Sequence, residues 1–302
     1  DEDFVLVNDR ENGLVIFSCD TNLHCLCNDM TDIFVDGTFK YCPKYFYQLY
    51  TIHGCKNGNY VPLVYALLPA KNEDCYRLMW NSIIQASQTR NLTLNPSSVH
   101  VDFEMAMYNT ILDVFPVARI ECCRFHLGQA WWRNIPKIGL STEYKDKNSE
   151  IGKWLSKFFG LPFLSADTVA DCFVEDIMED MPEDVKCIAF SGYVVENYIS
   201  DKAKFPPRLW ASTPSVNSKR TNNGPESFHA HYNEQFYSCH PSIFIFVDVL
   251  LKTQTTSYIK IRGLGTPAPA RRVDREKIEF VMEQYQQFCD DHISRAKFLK
   301  RI

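Results

Sequence analysis

The sequence predicts an α/β protein whose sheet contains both antiparallel and parallel strands. Two β-rich runs separated by residues 54–59, which are rich in Gly and Asn, predict a hairpin. After the hairpin, helical and strand patterns alternate up to about residue 135, which favours strands joined by helical crossovers. Beyond that point the strand pattern stops and the apolar residues recur at helical spacing. We therefore expect a mixed sheet flanked by helices, followed by an all-helical region.

Each element of the first part follows from its local pattern. Asp74 is an N-cap candidate for the first helix, and Pro116 stops the second. The predicted elements are strands over residues 13–19, 31–39, 47–53 and 60–68, a helix over 75–88, a strand over 97–102, a helix over 104–115 and a strand over 118–123. Apart from the leading strand over residues 13–19, the order is β-β-β-α-β-α-β, which is that of a ribonuclease H-like mixed sheet.

Two aspartates stand at the ends of predicted strands. Asp36 follows the apolar block Ile33-Phe-Val, and Asp102 ends the strand after the first helix. In a ribonuclease H-like sheet these two strands are neighbours, so we expect Asp36 and Asp102 side by side. A carboxylate there is costly unless it is paired or holds a metal, although Asp36-Gly37 could also form a simple turn.

The remaining organisation is read from composition and periodicity. Helical spacing around residues 151–159, 169–177 and 188–199 predicts an insertion without strands. The predicted domains are residues 1–134 as the first part of the core, 135–215 as the all-helical insertion, 216–240 as the return to the core and 241–302 as a helical, basic C-terminal region.

Composition indicates a globular, intracellular protein. Hydrophobic residues make up 45% of the 302 residues, no apolar run reaches the roughly 20 residues of a membrane span, and the acidic start is unlike a signal peptide. We therefore expect no membrane association. The twelve cysteines contain no Cys-x-x-Cys pair, and we expect most to be reduced, buried and apolar in behaviour.

The net charge of −5 conceals an asymmetry. Residues 1–200 carry 16 Lys and Arg against 27 Asp and Glu, whereas residues 201–302 carry 16 against 10. The basic last third would attract a polyanion such as DNA. Alternatively, its basic residues only form the solvent-exposed faces of helices.

Glu226 is the third acid of interest. Pro225 suits the first helical position and places Glu226 in the first turn, where the helix dipole favours a charged carboxylate. Three converging acids repel each other unless a dication neutralises them, and Mg²⁺ or Mn²⁺ prefers such oxygen ligands. Two ions could then activate water and stabilise the leaving oxygen of a phosphodiester. From spacing alone, dipole pairing by Glu226 and turn capping by the aspartates remain the alternative.

Four motifs in order resemble the transposase domain of Mutator-like elements. They are Asp36-Gly-Thr-Phe with the hairpin that follows it, Val101-Asp-Phe-Glu, Cys123-Arg-Phe-His126, and Thr221-Asn-Asn-Gly-Pro-Glu226-Ser-Phe-His. The resemblance extends from about residue 14 to residue 240. It implies a cut-and-paste transposase with a ribonuclease H-like core, a helical insertion before the third acid, and Asp36, Asp102 and Glu226 as ligands of two Mg²⁺ or Mn²⁺ ions.

The resemblance also implies partners and a location. The protein would act in the nucleus on terminal inverted repeats and target DNA, as a homodimer or larger homo-oligomer that joins two ends. His126 would belong to the catalytic site, where it could touch the scissile phosphate, position DNA or stabilise the loop. Its alternative is a hydrogen-bonded structural histidine. A zinc site combining Cys122 or Cys123 and His126 with His229-x-His231 has suitable ligand types, but we do not expect structural zinc.

Further residues are candidates for DNA binding. Lys219 and Arg220 could contact phosphates from a loop near Glu226. The other candidates are Arg124, Trp210, Asn222 and Asn223. Trp210 could stack on an unpaired base or anchor its loop, and the two asparagines could contact DNA or cap the helix.

Two other functions remain open at this stage. The chain could be a domesticated DNA-binding or chromatin protein without catalysis, or a metal-dependent nuclease that uses the same acids without strand transfer. It shows no zinc-finger or helix-turn-helix pattern before the core, so recognition of transposon ends would lie upstream in a longer protein or in the basic last third.

Overall fold

A computed structural model of the chain describes residues 2–146, 148–215, 223–269 and 272–302. The fold is mixed α/β, with a seven-stranded sheet and a largely helical C-terminal part. The chain forms two compact units. We call Asp1–Glu121 with Thr221–Pro269 the sheet unit, and Cys122–Arg220 with Ala270–Ile302 the helical unit. The domain limits derived from the sequence stay predictions.

The sheet is mixed, as the sequence predicts. Its strands lie in the order β1-β2-β5-β4-β3-β6-β7, with β3 and β6 parallel and the other recorded pairings antiparallel. The strands are β1 (Val5–Asp9), β2 (Leu14–Phe17), β3 (Asp32–Thr38), β4 (Gln48–Lys56), β5 (Asn59–Leu68), β6 (Ser98–Val101) and β7 (Arg119–Cys122). Of these, β1 is not predicted by the sequence pattern.

The predicted hairpin joins β4 and β5. Its turn is Asn57-Gly58, and both residues have positive φ, 52° and 76°. Asn-Gly is the sequence that tolerates this backbone in a two-residue turn. Because the turn is so tight, β4 continues through Gly54, Cys55 and Lys56, three residues beyond its predicted end.

The described part of the sheet unit contains five helices. They are α1 (Asp20–Asn28), α2 (Glu73–Gln88), α3 (Met105–Val114), α9 (Asn223–Asn233) and α10 (Ile243–Arg262). The cap of α2 differs from the prediction, because Asn72 rather than Asp74 accepts a hydrogen bond from Cys75 N at 2.9 Å. Helix α1 is also not predicted by the pattern.

Both faces of the sheet are covered within this unit. On one face, α9 and α10 supply Tyr232 and Phe246, which join a core cluster with Leu49 and Tyr65. The adjacent residue of β4, Tyr50, points to the opposite face and contacts Tyr76 of α2. The candidate active site therefore lies on a sheet that is packed on both sides.

Within its described residues, the helical unit contains no strand after Cys122. Its helices are α4 (Arg124–Ile138), α5 (Ser141–Lys145), α6 (Glu150–Phe158), α7 (Val169–Cys172), α8 (Val185–Val194), α11 (Arg272–Cys289) and α12 (Arg295–Arg301), with π-helical turns over Phe173–Met178 and Val195–Ile199. Within the helical, basic C-terminal region predicted over residues 241–302, this unit has two helices, α11 and α12, with Asp291 at φ 57° between them.

Two expectations from composition can be compared with the structure. All twelve cysteines are free thiols, nine of them buried, which confirms the prediction of reduced, mostly buried cysteines. Across the described part of the chain, no helix combines the length and the apolar character that a membrane span requires.

Candidate active site

The pairing of β3 with β6 sets the level of the two aspartates. The parallel partners are Asp32 with Ser98, Ile33 with Val99 and Phe34 with His100. In each pair the numbers differ by 66 (98 − 32 for the first), and Asp36 and Asp102 differ by the same amount (102 − 36). Asp102 directly follows the last residue of β6. The two carboxylates therefore leave neighbouring strands at the same level of the sheet.

Asp36 does not form a turn, so that alternative is wrong. It lies inside β3 opposite Thr51, and the strand continues through Gly37 to Thr38. The backbone N–H of Gly37 donates to Asp36 Oδ1 at 2.8 Å. A Cβ at Gly37 would lie 2.9 Å from Gln48 Oε1 and 3.0 Å from the Tyr50 ring, so glycine is required by close packing here.

The second oxygen of Asp36 faces a histidine of α9. His229 Nε2 lies 3.5 Å from Asp36 Oδ2 and 3.0 Å from Thr51 Oγ1. The Thr51 hydroxyl donates to the backbone oxygen of Asp36 at 3.2 Å and also lies 3.0 Å from His53 Nε2. Four residues on three elements thus form one buried polar chain around the Asp36 carboxylate.

The protonation of this chain follows from its partners. Thr51 has one hydroxyl proton, which goes to Asp36, so both histidines donate from Nε2 to its lone pairs. Their Nδ1 atoms are then the unprotonated ones, and among the described residues neither has a hydrogen-bond partner. Burial lowers the pKa of His229 to about 4, with a hydrogen bond to the backbone of Asp36 opposing the shift, and burial lowers the pKa of His53 well below its usual value. Both rings are neutral at pH 7.

The same histidine indicates the side of α9 on which Glu226 lies. Residues three apart lie on one face of a helix, so Glu226 is one turn before His229 on the side that faces β3. The start of α9 lies close to β5, since a Cβ at Gly224 would come within 2.2 Å of the Tyr60 ring. Glycine at this position allows the acid-bearing turn to reach the sheet.

Tyr50 indicates how closely the acids are grouped. Its pKa is raised well above its usual value by burial and then by the charges of Tyr76, Asp102, Glu104 and Asp36. Glu104 is itself paired, because it accepts from the Tyr76 hydroxyl at 2.9 Å and lies 3.2 Å from Lys71 Nζ. An open cleft is lined by Asp102, Glu104, Lys71 and Tyr50.

These donor groups suit a hard dication. Asp36, Asp102 and Glu226 offer only carboxylate oxygens, the ligand type that Mg²⁺ and Mn²⁺ prefer. The negative charge is concentrated enough at the strand ends to act on Tyr50. Neutral His229 adds no positive charge that would cancel the Asp36 carboxylate.

Comparison with known families gives one match. Residues 33–130 match the model of the MULE transposase domain family. The chain carries a MULE transposase domain. The matched range begins in β3 and ends in α4, so it includes Asp36, Asp102 and the Cys123-Arg-Phe-His126 motif. It is narrower than the resemblance over residues 14–240, and Glu226 lies outside it. No curated protein matches the chain.

The Cys123-Arg-Phe-His126 motif, which lies near the end of the matched range, is in the helical unit. Buried Cys123 immediately precedes α4, and His126, which is half-buried, lies in the first turn of that helix. The guanidinium of Arg124 lies over the ring of Phe163, with Cζ 4.1 Å from the ring centroid. The catalytic role of His126 and the DNA contact of Arg124 stay predictions.

The other DNA-binding candidates differ in outcome. Lys219, Arg220 and Asn222 lie outside the described residues, as does the side chain of Asn223. Trp210 is 0% exposed, and its Nε1 donates to the backbone oxygen of Phe205 at 2.8 Å. Its ring therefore has no exposed face for a base, which contradicts the stacking interpretation and agrees with a buried anchor.

His229 and His231 do not form a common pair of zinc ligands. His229 is buried against Asp36, whereas His231 is exposed and its Nδ1 donates to the backbone oxygen of Ser227 at 2.7 Å. Residues two apart on a helix point away from each other. The sequence did not reveal His229 as a partner of Asp36, although its position three residues after Glu226 was a usable signal.

Proposed function

We propose that this chain contains the catalytic part of a DNA transposase of the Mutator-like class, with a ribonuclease H-like core. It would hydrolyse phosphodiester bonds at transposon ends and join the freed 3′-hydroxyls to target DNA. The observation that carries the proposal is the common level of Asp36 and Asp102 on parallel neighbouring strands inside the MULE domain. Glu226, on the face of α9 that carries His229, completes the set of three acids.

The residues of the site have distinct tasks in this proposal. Asp36, Asp102 and Glu226 would hold two Mg²⁺ or Mn²⁺ ions, which activate the attacking oxygen and stabilise the leaving oxygen when bound. The Gly37 N–H holds Oδ1 of Asp36 and the His229 ring lies 3.5 Å from Oδ2, so the surroundings of this carboxylate are set before a ligand arrives. Tyr50 stays protonated beside the acids and adds no further negative charge.

The reaction has two steps at phosphorus. Water first attacks the phosphodiester at a transposon end and releases a 3′-hydroxyl. That hydroxyl then attacks a phosphodiester of the target, so one bond breaks as another forms. Joining two ends requires two active sites near each other, so we propose a homodimer or larger assembly. We also propose that this assembly acts in the nucleus.

The test measures nicking of a supercoiled plasmid with Mg²⁺ or Mn²⁺. We expect wild type to nick the plasmid and Asp102→Asn to lose at least about a thousandfold in rate, since the metal ions contribute several kcal/mol. Asp113→Asn is the matched control, because Asp113 is an exposed acid of the same unit whose ion pair is with Arg77 at 2.7 Å, and it should retain activity.

Two results would contradict the proposal. One is wild type and Asp102→Asn that are equally inert although both bind the plasmid, and the other is equal nicking by both. A second assay supplies a labelled oligonucleotide with a free 3′-hydroxyl and measures covalent transfer of the label to the plasmid. Nicking without transfer would favour the nuclease alternative.

A further inference from the structure

The segment between β3 and β4 combines aromatic and basic residues. Residues 39–47 contain five aromatic side chains, two lysines and no acid. Part of the segment is anchored inward: Tyr41 stacks on Phe236 with ring centroids 5.8 Å apart, and Cys42 is buried. His240 holds the backbone, because its N–H donates to Lys40 O at 2.9 Å and its Nδ1 donates to Cys42 O at 3.2 Å. The segment is therefore a fixed part of the sheet unit.

Other aromatic residues of the same segment face solvent. Phe39 is 41% exposed, Tyr47 53% and Tyr45 88%. The Phe39 and Tyr47 rings meet edge to face, with centroids 5.4 Å apart and an interplanar angle of 81°. Lys71 Nζ lies 5.3 Å from the centroid of Phe39. We call Phe39, Tyr47 and Lys71 the aromatic rim.

The aromatic rim borders the candidate active site. Phe39 and Lys71 line the same open cleft as Asp102 and Glu104. Lys71 is held at this place by its ion pair with Glu104, at 3.2 Å. A strand of DNA with a phosphate at Asp102 would therefore carry its adjacent nucleotide past the Phe39 ring.

Resting on the proposed function, we propose that the aromatic rim binds an unpaired nucleobase next to the phosphate that is cleaved. Bases stack on aromatic side chains regardless of sequence, and this matches exposed rings on a fixed segment. The exposed lysines Lys40 and Lys44 beside the rings suit the phosphates of the same strand. Because lysines surround the exposed aromatic rings, a nucleic acid is favoured over an apolar protein surface as the binding partner.

The experiment compares two fluorescein-labelled duplexes by fluorescence anisotropy in the presence of EDTA, so that no cleavage occurs. One duplex ends in a short thymidine overhang and the other in an abasic overhang of equal length. We expect wild type to bind the thymidine overhang roughly tenfold more tightly, and Phe39→Ala or Tyr47→Ala to remove most of this preference. Phe39→Trp should retain it. The matched control is Phe244→Ala, an aromatic residue of the same unit that is 84% exposed on α10.

The outcomes separate this proposal from the proposed function. No preference in wild type, or an unchanged preference in both alanine variants, would overturn the role of the aromatic rim. A change of oligomeric state in light scattering without a change in preference would identify a protein interface and also overturn it. Plasmid nicking by Asp102→Asn tests the catalytic proposal independently. If Phe39→Ala does not fold, Tyr47→Ala, whose ring is more exposed, decides the question.

Discussion

The two units arrange their buried polar side chains differently. In the sheet unit, Asp36 and His229 are buried together with other polar groups at the level where β6 ends. In the helical unit the largest buried side chains are tryptophans, and Trp131 and Trp210 meet edge to face with centroids 5.9 Å apart. The helical unit buries the cation of Lys157, which has partners in the Asp180 carboxylate and a backbone oxygen.

The grouping of polar side chains around Asp36 distinguishes the candidate site. A buried polar group costs about 1–3 kcal/mol when it lacks a partner, and the Nδ1 atoms of His53 and His229 are in that state within the described residues. Lys157, in contrast, is neutralised, and Trp210 has satisfied its only donor. The sheet unit therefore retains an unfavourable arrangement next to Asp36, as sites of chemistry often do. The helical unit also leaves buried side-chain atoms without a partner among the described residues, such as Trp131 Nε1 and Asn134 Oδ1, so the grouping of polar side chains around Asp36 rather than their number distinguishes the candidate site.

The prediction with the largest expected effect on stability concerns Trp210 as a buried anchor. Trp210→Ala should lower the free energy of unfolding by about 3 kcal/mol, because it leaves a cavity against Trp131 and removes a buried hydrogen bond. Urea unfolding followed by circular dichroism measures this loss. Trp132→Ala is the control, since Trp132 is 52% exposed on the same helix as Trp131 and should change little. A stable Trp210→Ala protein with impaired DNA binding would restore the stacking interpretation.

Trp210 and Asp36 also show which structural features can be predicted from the sequence and which cannot. The alternation of strands and helices predicts a neighbouring level for Asp36 and Asp102, and the mixed sheet confirms the strand types. Local pattern cannot tell whether Asp36-Gly37 ends a strand or lies within one, because the strand continues only through pairing with β4. Burial of Trp210 depends on Trp131 and Phe205, which the sequence does not place beside it.

The histidines show the same limit for the candidate site. The pattern His229-x-His231 suggests two ligands of one metal when only residue types are considered. On α9 the two side chains point apart, and His229 instead meets Asp36, which is nearly two hundred residues away in the chain. Contacts between distant segments decide such roles, and a single sequence does not contain them explicitly.

The second prediction concerns the orientation of Asp36. His229→Leu should weaken Mn²⁺ binding by about tenfold to a hundredfold, because the polar ring that lies 3.5 Å from Asp36 Oδ2 and hydrogen-bonds to Thr51 is lost. Isothermal titration calorimetry of the full chain measures this affinity without requiring catalysis. His229→Gln, whose amide nitrogen can reach the place of Nε2, should restore much of it.

His231→Ala is the matched control for this comparison. Its side chain is exposed and bonded within its own helix, so Mn²⁺ affinity should stay at the wild-type value. Equal Mn²⁺ affinities for wild type and a folded His229→Leu protein would show that the His229 contact has no influence on the carboxylate.

The smallest expected effect is a dependence of stability on pH that arises from His53. Burial lowers the pKa of His53 in the folded protein well below 6.5, so below that pH the unfolded chain takes up a proton that the folded protein does not. The unfolded state then binds more protons, and the free energy of unfolding falls as the pH falls. Protonation of His53 in the unfolded chain should lower the free energy of unfolding by about 1 kcal/mol when the pH falls from 6.5 to 5.5. Urea unfolding at the two pH values should therefore show a smaller fall in the free energy of unfolding for His53→Gln than for wild type. The same pH dependence in wild type and variant would mean that His53 takes up its proton in the folded state, and the neutral polar chain behind Asp36 would then need a different assignment.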